Sequence, residues 1–193
     1  MRIIAGSLKG RRMPAPPGTG KAGIRPTAAK VRGALFSILG GDLSGLSFLD
    51  LYAGSGGVGM EALSRGAAQV VFVEEHRALQ RALQEMLDRM RGAFSGEARV
   101  SARPADAFVK THEGPPFDVV FVDPPYQGGE AEKILPLLGA GDMIACAHGL
   151  EGQAGRVIVE HFHKTRLPDA LGCLGVVKRY RYGDTLLSLY ERT

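Results

Sequence analysis

Short apolar runs alternate with amphipathic stretches along most of this chain. Ser47 to Tyr52, Gln69 to Val73, Ala98 to Ala102, Phe117 to Val122 and Arg156 to Glu160 have strand length, and most are rich in Val, Leu and Phe. Between them, Val58 to Arg65, Ala78 to Arg91, Ala105 to Thr111 and Glu130 to Leu138 read as helices, the last interrupted near Pro136. Leu79, Leu83, Met86 and Met90 fall on one side of the second of these and read as core. Val176 to Arg181 and Thr185 to Tyr190 flank Gly183-Asp184 and read as a closing antiparallel pair. Strands alternating with helices predict an α/β fold, a mostly parallel sheet with helices on both faces. This pattern begins near Leu46. It divides the chain into an extension over 1–42 and a main domain over 43–193.

The extension has a pattern of its own. Arg2-Ile3-Ile4-Ala5-Gly6 and Arg11-Arg12-Met13 flank a glycine-containing turn and predict a short basic hairpin. Pro14 to Gly23 reads as a loop. Arg25-Pro26-Thr27 opens a helix through about Leu39, with Thr27 as its cap and Val31, Leu35, Ile38 and Leu39 as its apolar stripe. Gly33 within it costs ~1 kcal/mol relative to alanine.

Charge sets this extension apart. The 193 residues carry 24 Lys or Arg against 20 Asp or Glu, a net +4. Residues 1–32 hold eight of the basic residues and no acidic one, so the remainder is net acidic. A basic arm on an acidic body points to a polyanionic partner, with a solvated basic terminus as the simpler alternative. The other totals are those of an ordinary globular chain. No apolar run approaches the ~18 residues needed to span a bilayer, and the first residues lack the core of a secretory signal. Cys146 and Cys173 form no CxxC pair. The expectation is a cytoplasmic protein with no membrane partner.

Asp50-Leu51-Tyr52-Ala53-Gly54-Ser55-Gly56-Gly57-Val58-Gly59 places GxGxxG between a strand and a helix. Glycines there let a ligand approach the backbone. Glu74 follows Gly54 by twenty residues and ends the next strand, where a carboxylate accepts from both ribose hydroxyls of an adenosine-containing cofactor. Nicotinamide dinucleotides and S-adenosylmethionine both suit such a turn. Asp50 separates them: an anion there disfavours a pyrophosphate and favours a cationic methionine moiety. The alternative is that Asp50 caps a turn and the glycines make a tight connection. Asp106, after the third strand, meets either the adenine amino group or only solvent at a helix start. Asp50, Tyr52, Gly54, Gly56, Glu74 and Asp106 are the candidate donor-binding set.

The fourth strand ends in Asp123-Pro124-Pro125-Tyr126. Two prolines cannot continue a central strand, so an acid, a stiff carbonyl and an aromatic ring collect at one sheet edge. An aromatic amine is a poor nucleophile, because its lone pair is delocalised into the ring. Two acceptors aimed at its hydrogens redirect that lone pair. The Asp123 carboxylate and the Pro124 carbonyl are candidates, with Tyr126 stacking on the base. Asp123 is also positioned to take the proton. A strand-ending turn with a buried tyrosine is the structural alternative.

Asp123-Pro124-Pro125-Tyr126 resembles the signature of class I amino-group methyltransferases acting on nucleobases. Arg2 to Gly6, Lys9-Gly10-Arg11, Gly23 to Thr27, Asp50 to Gly56, Glu61 to Ala67 and Tyr182 to Thr185 are similar to blocks of one family, the bacterial 16S ribosomal RNA guanine-N2 methyltransferases. The resemblance spans nearly the whole chain. It implies a Rossmann-like, seven-stranded methyltransferase fold and S-adenosylmethionine as donor. It also implies one guanine of 16S rRNA as target, within a small-subunit ribosomal particle. Ala29 and Gly33 depart from it, since that family usually has Asp and Glu there. Lys9, Arg11, Arg12, Lys21 and Arg25 become candidate phosphate contacts.

An adenine-N6 methyltransferase of DNA or RNA is the near alternative, because the Asp-Pro-Pro-Tyr tetrapeptide is shared among amino acceptors. A nicotinamide-dependent oxidoreductase leaves that tetrapeptide unexplained, and a non-catalytic RNA-binding protein would use the arm alone. His161 and His163 share the i, i+2 spacing of one strand face but have no third ligand in view, and no metal site is expected.

Overall fold

The structure, a computed structural model, describes residues 1–13, 28–125, 128–146 and 154–193. The chain packs as two compact units, Met1–Arg103 and Pro104–Thr193.

The first unit is built on three parallel strands in the order β3-β2-β1: β1 (Ser47–Leu51), β2 (Gln69–Val73) and β3 (Glu97–Ser101). Their registers run from Ser47 opposite Gln69 to Leu51 opposite Val73, and from Gln69 opposite Glu97 to Val73 opposite Ser101. The last four residues of β1 and of β2 are buried. Of the five helices among the described residues, three lie in this unit and precede or connect its strands as the periodicity requires: α1 (Ala29–Ile38), α2 (Gly57–Ser64) and α3 (Arg77–Arg89). Leu79, Leu83 and Met86 on α3, and Met90 just after it, are all buried, as their spacing predicts. Helix α1 starts at Ala29 with Ala28 at its N-cap and no side-chain cap; the expected opening at Arg25 to Thr27, with the Thr27 cap, lies outside the described residues.

The basic hairpin forms, but as a single antiparallel bridge, Arg2 to Arg12, rather than a pair of strands. Ile3 N–H donates to Arg11 O, Gly10 N–H to Ile3 O and Met13 N–H to Met1 O. The hairpin is docked on α2. Ile3, Leu8 and Met13 are buried, while Lys9, Arg11 and Arg12 stay exposed. Gly6 lies so close to Ser64 O that a Cβ there would overlap it, which reserves the position for glycine.

The second unit holds α4 (Ala105–Thr111), β4 (Val119–Val122), α5 (Glu130–Ala140), β5 (Arg156–Phe162), β6 (Ala170–Leu171), β7 (Leu174–Tyr182) and β8 (Thr185–Arg192). Its strands run in the order β4-β5-β8-β7-β6, with β4 parallel to β5 and β8 antiparallel to both β5 and β7. The described residues therefore hold eight strands where seven were expected. The additional one is β6, whose two residues pair with Leu174 and Gly175. A strand this short has no period for the sequence to display. The expected interruption at Pro136 is also corrected: α5 runs through it to Ala140. Proline there removes the bond to Glu132 O, and burial of Ile134, Leu135 and Leu138 holds the helix together regardless. Among the described residues, no helix is long and apolar enough to cross a membrane.

Candidate active site

Asp50 is the penultimate residue of β1 and is 2% exposed. Its Oδ2 accepts the Gly59 N–H at 2.8 Å. The N-cap of α2 is Gly56, which has no side chain to satisfy the free amides of the first turn. Asp50 does so from the neighbouring strand, and its charge sits at the positive end of the helix. The turn-capping role is thus real. Tyr52 next departs from the extended backbone with φ +71°, the one non-glycine residue in the left-handed region among those described. Such a conformation costs of order 1 kcal/mol and concentrates at functional turns.

Glu74 follows β2, is 6% exposed and ties the turn together. Its Oε2 accepts the Gly54 N–H at 2.8 Å, and its Oε1 accepts the His76 N–H at 2.8 Å. The His76 ring Nδ1 stands 3.0 Å from the same Oε1. The glycines of the motif divide by function. A Cβ on Gly56 would strike Leu83 at 2.4 Å and one on Gly59 the Phe72 ring at 2.2 Å, so these two are required by packing. A Cβ on Gly54 would meet nothing nearer than Tyr52 O at 3.9 Å. Gly54 is the glycine whose backbone has open room beside it.

This donor set fits S-adenosylmethionine. Asp50 and Glu74 are carboxylates and supply acceptors only, suited to ribose hydroxyls and an ammonium group. An open glycine lies beside Glu74. A pyrophosphate next to two buried carboxylates would be repelled.

In the second unit, all four residues of β4 are buried, and its pairing with β5 ends at Val122 opposite Val159. Asp123 follows half-buried, Pro124 is buried and Pro125 exposed. The strand stops where the prolines remove the amide donors a ladder needs. Tyr126 lies outside the described residues. Asp106 occupies the exposed first turn of α4, with Oδ2 2.9 Å from Lys110 Nζ. That hydrogen bond holds its carboxyl below the usual carboxylate range. Lys21 and Arg25 lie outside the described residues.

Two residues without an assigned role in the pattern anchor the basic arm. Glu61, on α2, is fully buried and accepts the Ile4 N–H at 2.8 Å, the Ala5 N–H at 3.0 Å and Arg65 Nε at 3.0 Å. Arg32, on α1, is 1% exposed, donates to Arg2 O at 2.6 Å and places Nε 3.6 Å from Glu61, within ion-pair reach but beyond a hydrogen bond. The signal available was a single acid in an otherwise apolar helical stretch. His161 is buried, with Nε2 2.8 Å from Ser188 Oγ and Nδ1 3.1 Å from Phe162 O. Burial lowers its pKa and favours the neutral ring. Among the described residues, no three His, Cys, Asp or Glu side chains gather as a metal site.

A glycine turn sealed by an acid from the next strand, with Asp-Pro-Pro after a buried parallel strand, defines a class I methyltransferase. The yhhF protein of Escherichia coli has the same fold, with TM-score 0.80 and 32% identity over 100% of this chain and 97% of that one. The chain belongs to the family described as Conserved hypothetical protein 95, whose model matches residues 1–191. It is 32% identical to YlbH of Bacillus subtilis strain 168 over 197 residues, covering 100% of this chain and 99% of YlbH. It is 39% identical over 138 residues to Ribosomal RNA small subunit methyltransferase D of Escherichia coli K12, covering 72% of this chain and 66% of that protein.

Proposed function

We propose that this protein transfers a methyl group from S-adenosylmethionine to the exocyclic N2 of a guanine in 16S rRNA, presented within a small-subunit particle. The observation that carries the reading is Asp123-Pro124 at the end of the fully buried β4. Its family relative in Escherichia coli is named for small-subunit rRNA methylation.

S-adenosylmethionine, when bound, supplies an electrophilic methyl on a sulfonium. Glu74 accepts from its ribose hydroxyls, Asp50 faces its cationic end, Tyr52, Gly54 and Gly56 shape the turn, and Asp106 accepts from adenine. The Asp123 carboxylate and the Pro124 carbonyl accept from the two hydrogens of the guanine amine. That pulls its lone pair out of the ring system and aims it. Asp123 then holds the departing proton. Proline's locked φ spares the carbonyl any reorganisation during the step. Tyr126 stacks on the base. Extruding a stacked guanine costs a few kcal/mol, which RNA contacts elsewhere must offset.

The test is radiolabelled methyl transfer to unmodified 16S rRNA and to 30S particles, followed by nucleoside identification. N2-methylguanosine is the expected product, made faster on the particle. N6-methyladenosine would replace this reading with its nearest alternative.

Lys9, Arg11 and Arg12 contact phosphates from the docked hairpin, with Lys21 and Arg25 extending the same basic segment. Replacing Arg11 and Arg12 by Gln is expected to weaken 16S rRNA binding about tenfold at moderate salt and to leave donor affinity unchanged. Filter binding across a salt series, beside donor titration, measures both. RNA affinity equal to that of the unaltered chain removes the arm from the interface.

A further inference from the structure

The second unit carries a positive surface of its own. Because β8 is antiparallel to both β5 and β7, the strands β4, β5 and β7 run in one direction. Their C-terminal ends share one edge of this block of sheet. Asp123 follows β4, His163 and Lys164 follow β5, and Arg181 and Tyr182 end β7. Phe162, Thr185 and Tyr182 form one row across the strands, and Glu160, Leu187 and Tyr180 another. At ~4.8 Å per strand, β7 stands ~14 Å from β4, about four phosphates of a helical strand at ~3.4 Å each.

Residues 161–182 contain five Lys or Arg and one acid, Asp169. Asp169 is engaged by Arg179, whose Nη1 lies 2.7 Å from it while Nη2 donates to Leu167 O at 2.7 Å. Among the described residues, Lys164, Arg166, Lys178 and Arg181 have no carboxylate partner, and all four are exposed. Aromatic rings are interleaved with them. Lys178 Nζ lies 5.0 Å from the Tyr180 ring centroid and Lys164 Nζ 5.9 Å from that of Phe162. Val176 N–H donates to Asp169 O at 2.7 Å, and beyond Val176 β7 pairs only with β8 among the described strands, which leaves its other side an open edge.

We propose that this edge is a second RNA contact, in which Lys164 and Lys178 hold phosphates flanking the target base on the face of Tyr180 and Tyr182, whose rings offer surfaces to neighbouring bases, while Arg181 reaches a phosphate around the edge from the opposite face of the strand. The proposal rests on the RNA-methylating reading above. Cations mixed with aromatic rings suit a single strand, and their shared edge with Asp123 places them along the path of a strand whose base has been pulled out.

Basic residues on an open strand also guard against edge-to-edge association, and the two roles separate experimentally. Lys178→Glu/Arg181→Glu keeps the edge charged but repels phosphate. In the full chain, it is expected to bind a 16S rRNA fragment at least about tenfold more weakly than the unaltered protein. The slope of log K against log salt should be shallower by about 1.5, the share of two phosphates. Donor affinity and the thermal midpoint should not move. Lys178→Gln/Arg181→Gln is measured alongside and should give the same change in slope if the Glu pair does not fold. An RNA affinity within twofold and an unchanged slope would overturn the proposal and leave edge protection as the role. A wild-type chain that methylates no rRNA defeats the functional reading and this one together, whereas active wild type with unaffected variants defeats only this one.

Discussion

Asp123→Ala is expected to lower methyl transfer by at least about 10³-fold while S-adenosylmethionine affinity stays within about twofold. The substitution removes one of the two acceptors that redirect the amine lone pair, leaving only the Pro124 carbonyl, and it removes the group that receives the proton. Half-buried Asp123 follows a strand whose four residues are all buried, so neighbouring side chains have little freedom to substitute for it. Donor affinity should persist because Asp50, Gly54 and Glu74 belong to the other compact unit. Asp123→Asn is the sharper variant. It preserves shape and one acceptor, but it presents an amide N–H where the guanine amine also has one, and about 10²-fold of the rate should be lost. Single-turnover methyl transfer with saturating donor, beside equilibrium donor binding, reads both quantities. A rate for Asp123→Ala within tenfold of the unaltered chain would remove the carboxylate from the chemistry.

Glu61→Ala is expected to destabilise the protein by ~3–5 kcal/mol, because removing one partner leaves buried charge uncompensated. Arg32 is 1% exposed, and its burial already lowers its pKa, against which Glu61 acts. Without Glu61, the Ile4 and Ala5 amides also lose their acceptor. For a chain of this length, the loss corresponds to a fall in melting temperature of roughly 10 °C. Glu61→Gln keeps an acceptor for one amide and should fall between. Thermal unfolding measures the loss, and limited proteolysis within residues 1–13 shows whether the arm is released first. A melting temperature within 2 °C of the unaltered chain would show that the arm is held by the packing of Ile3, Leu8 and Met13 instead.

These two effects differ in how far the sequence foretold them. Asp123 is legible because its signal is local: an apolar run, an acid and two prolines within ten residues. Glu61 is not, because its meaning lies in partners 56 and 57 positions away. The glycine turn falls between. Its spacing announced a cofactor site, but only the packing of Leu83 and Phe72 shows that Gly56 and Gly59 serve the fold while Gly54 has room beside it.

The order of strands and helices, the end of β4 and the basic arm were determined by the residues themselves. Helical and strand periods, proline's missing amide and the clustering of like charge all act within a few positions. Tertiary structure alone decided the rest. It capped α2 with Asp50 from a neighbouring strand, carried α5 through Pro136, added β6 and docked the arm on a buried ion pair. Each of these depends on burial and on partners brought together by folding, and no local pattern records which distant group will satisfy a buried polar atom.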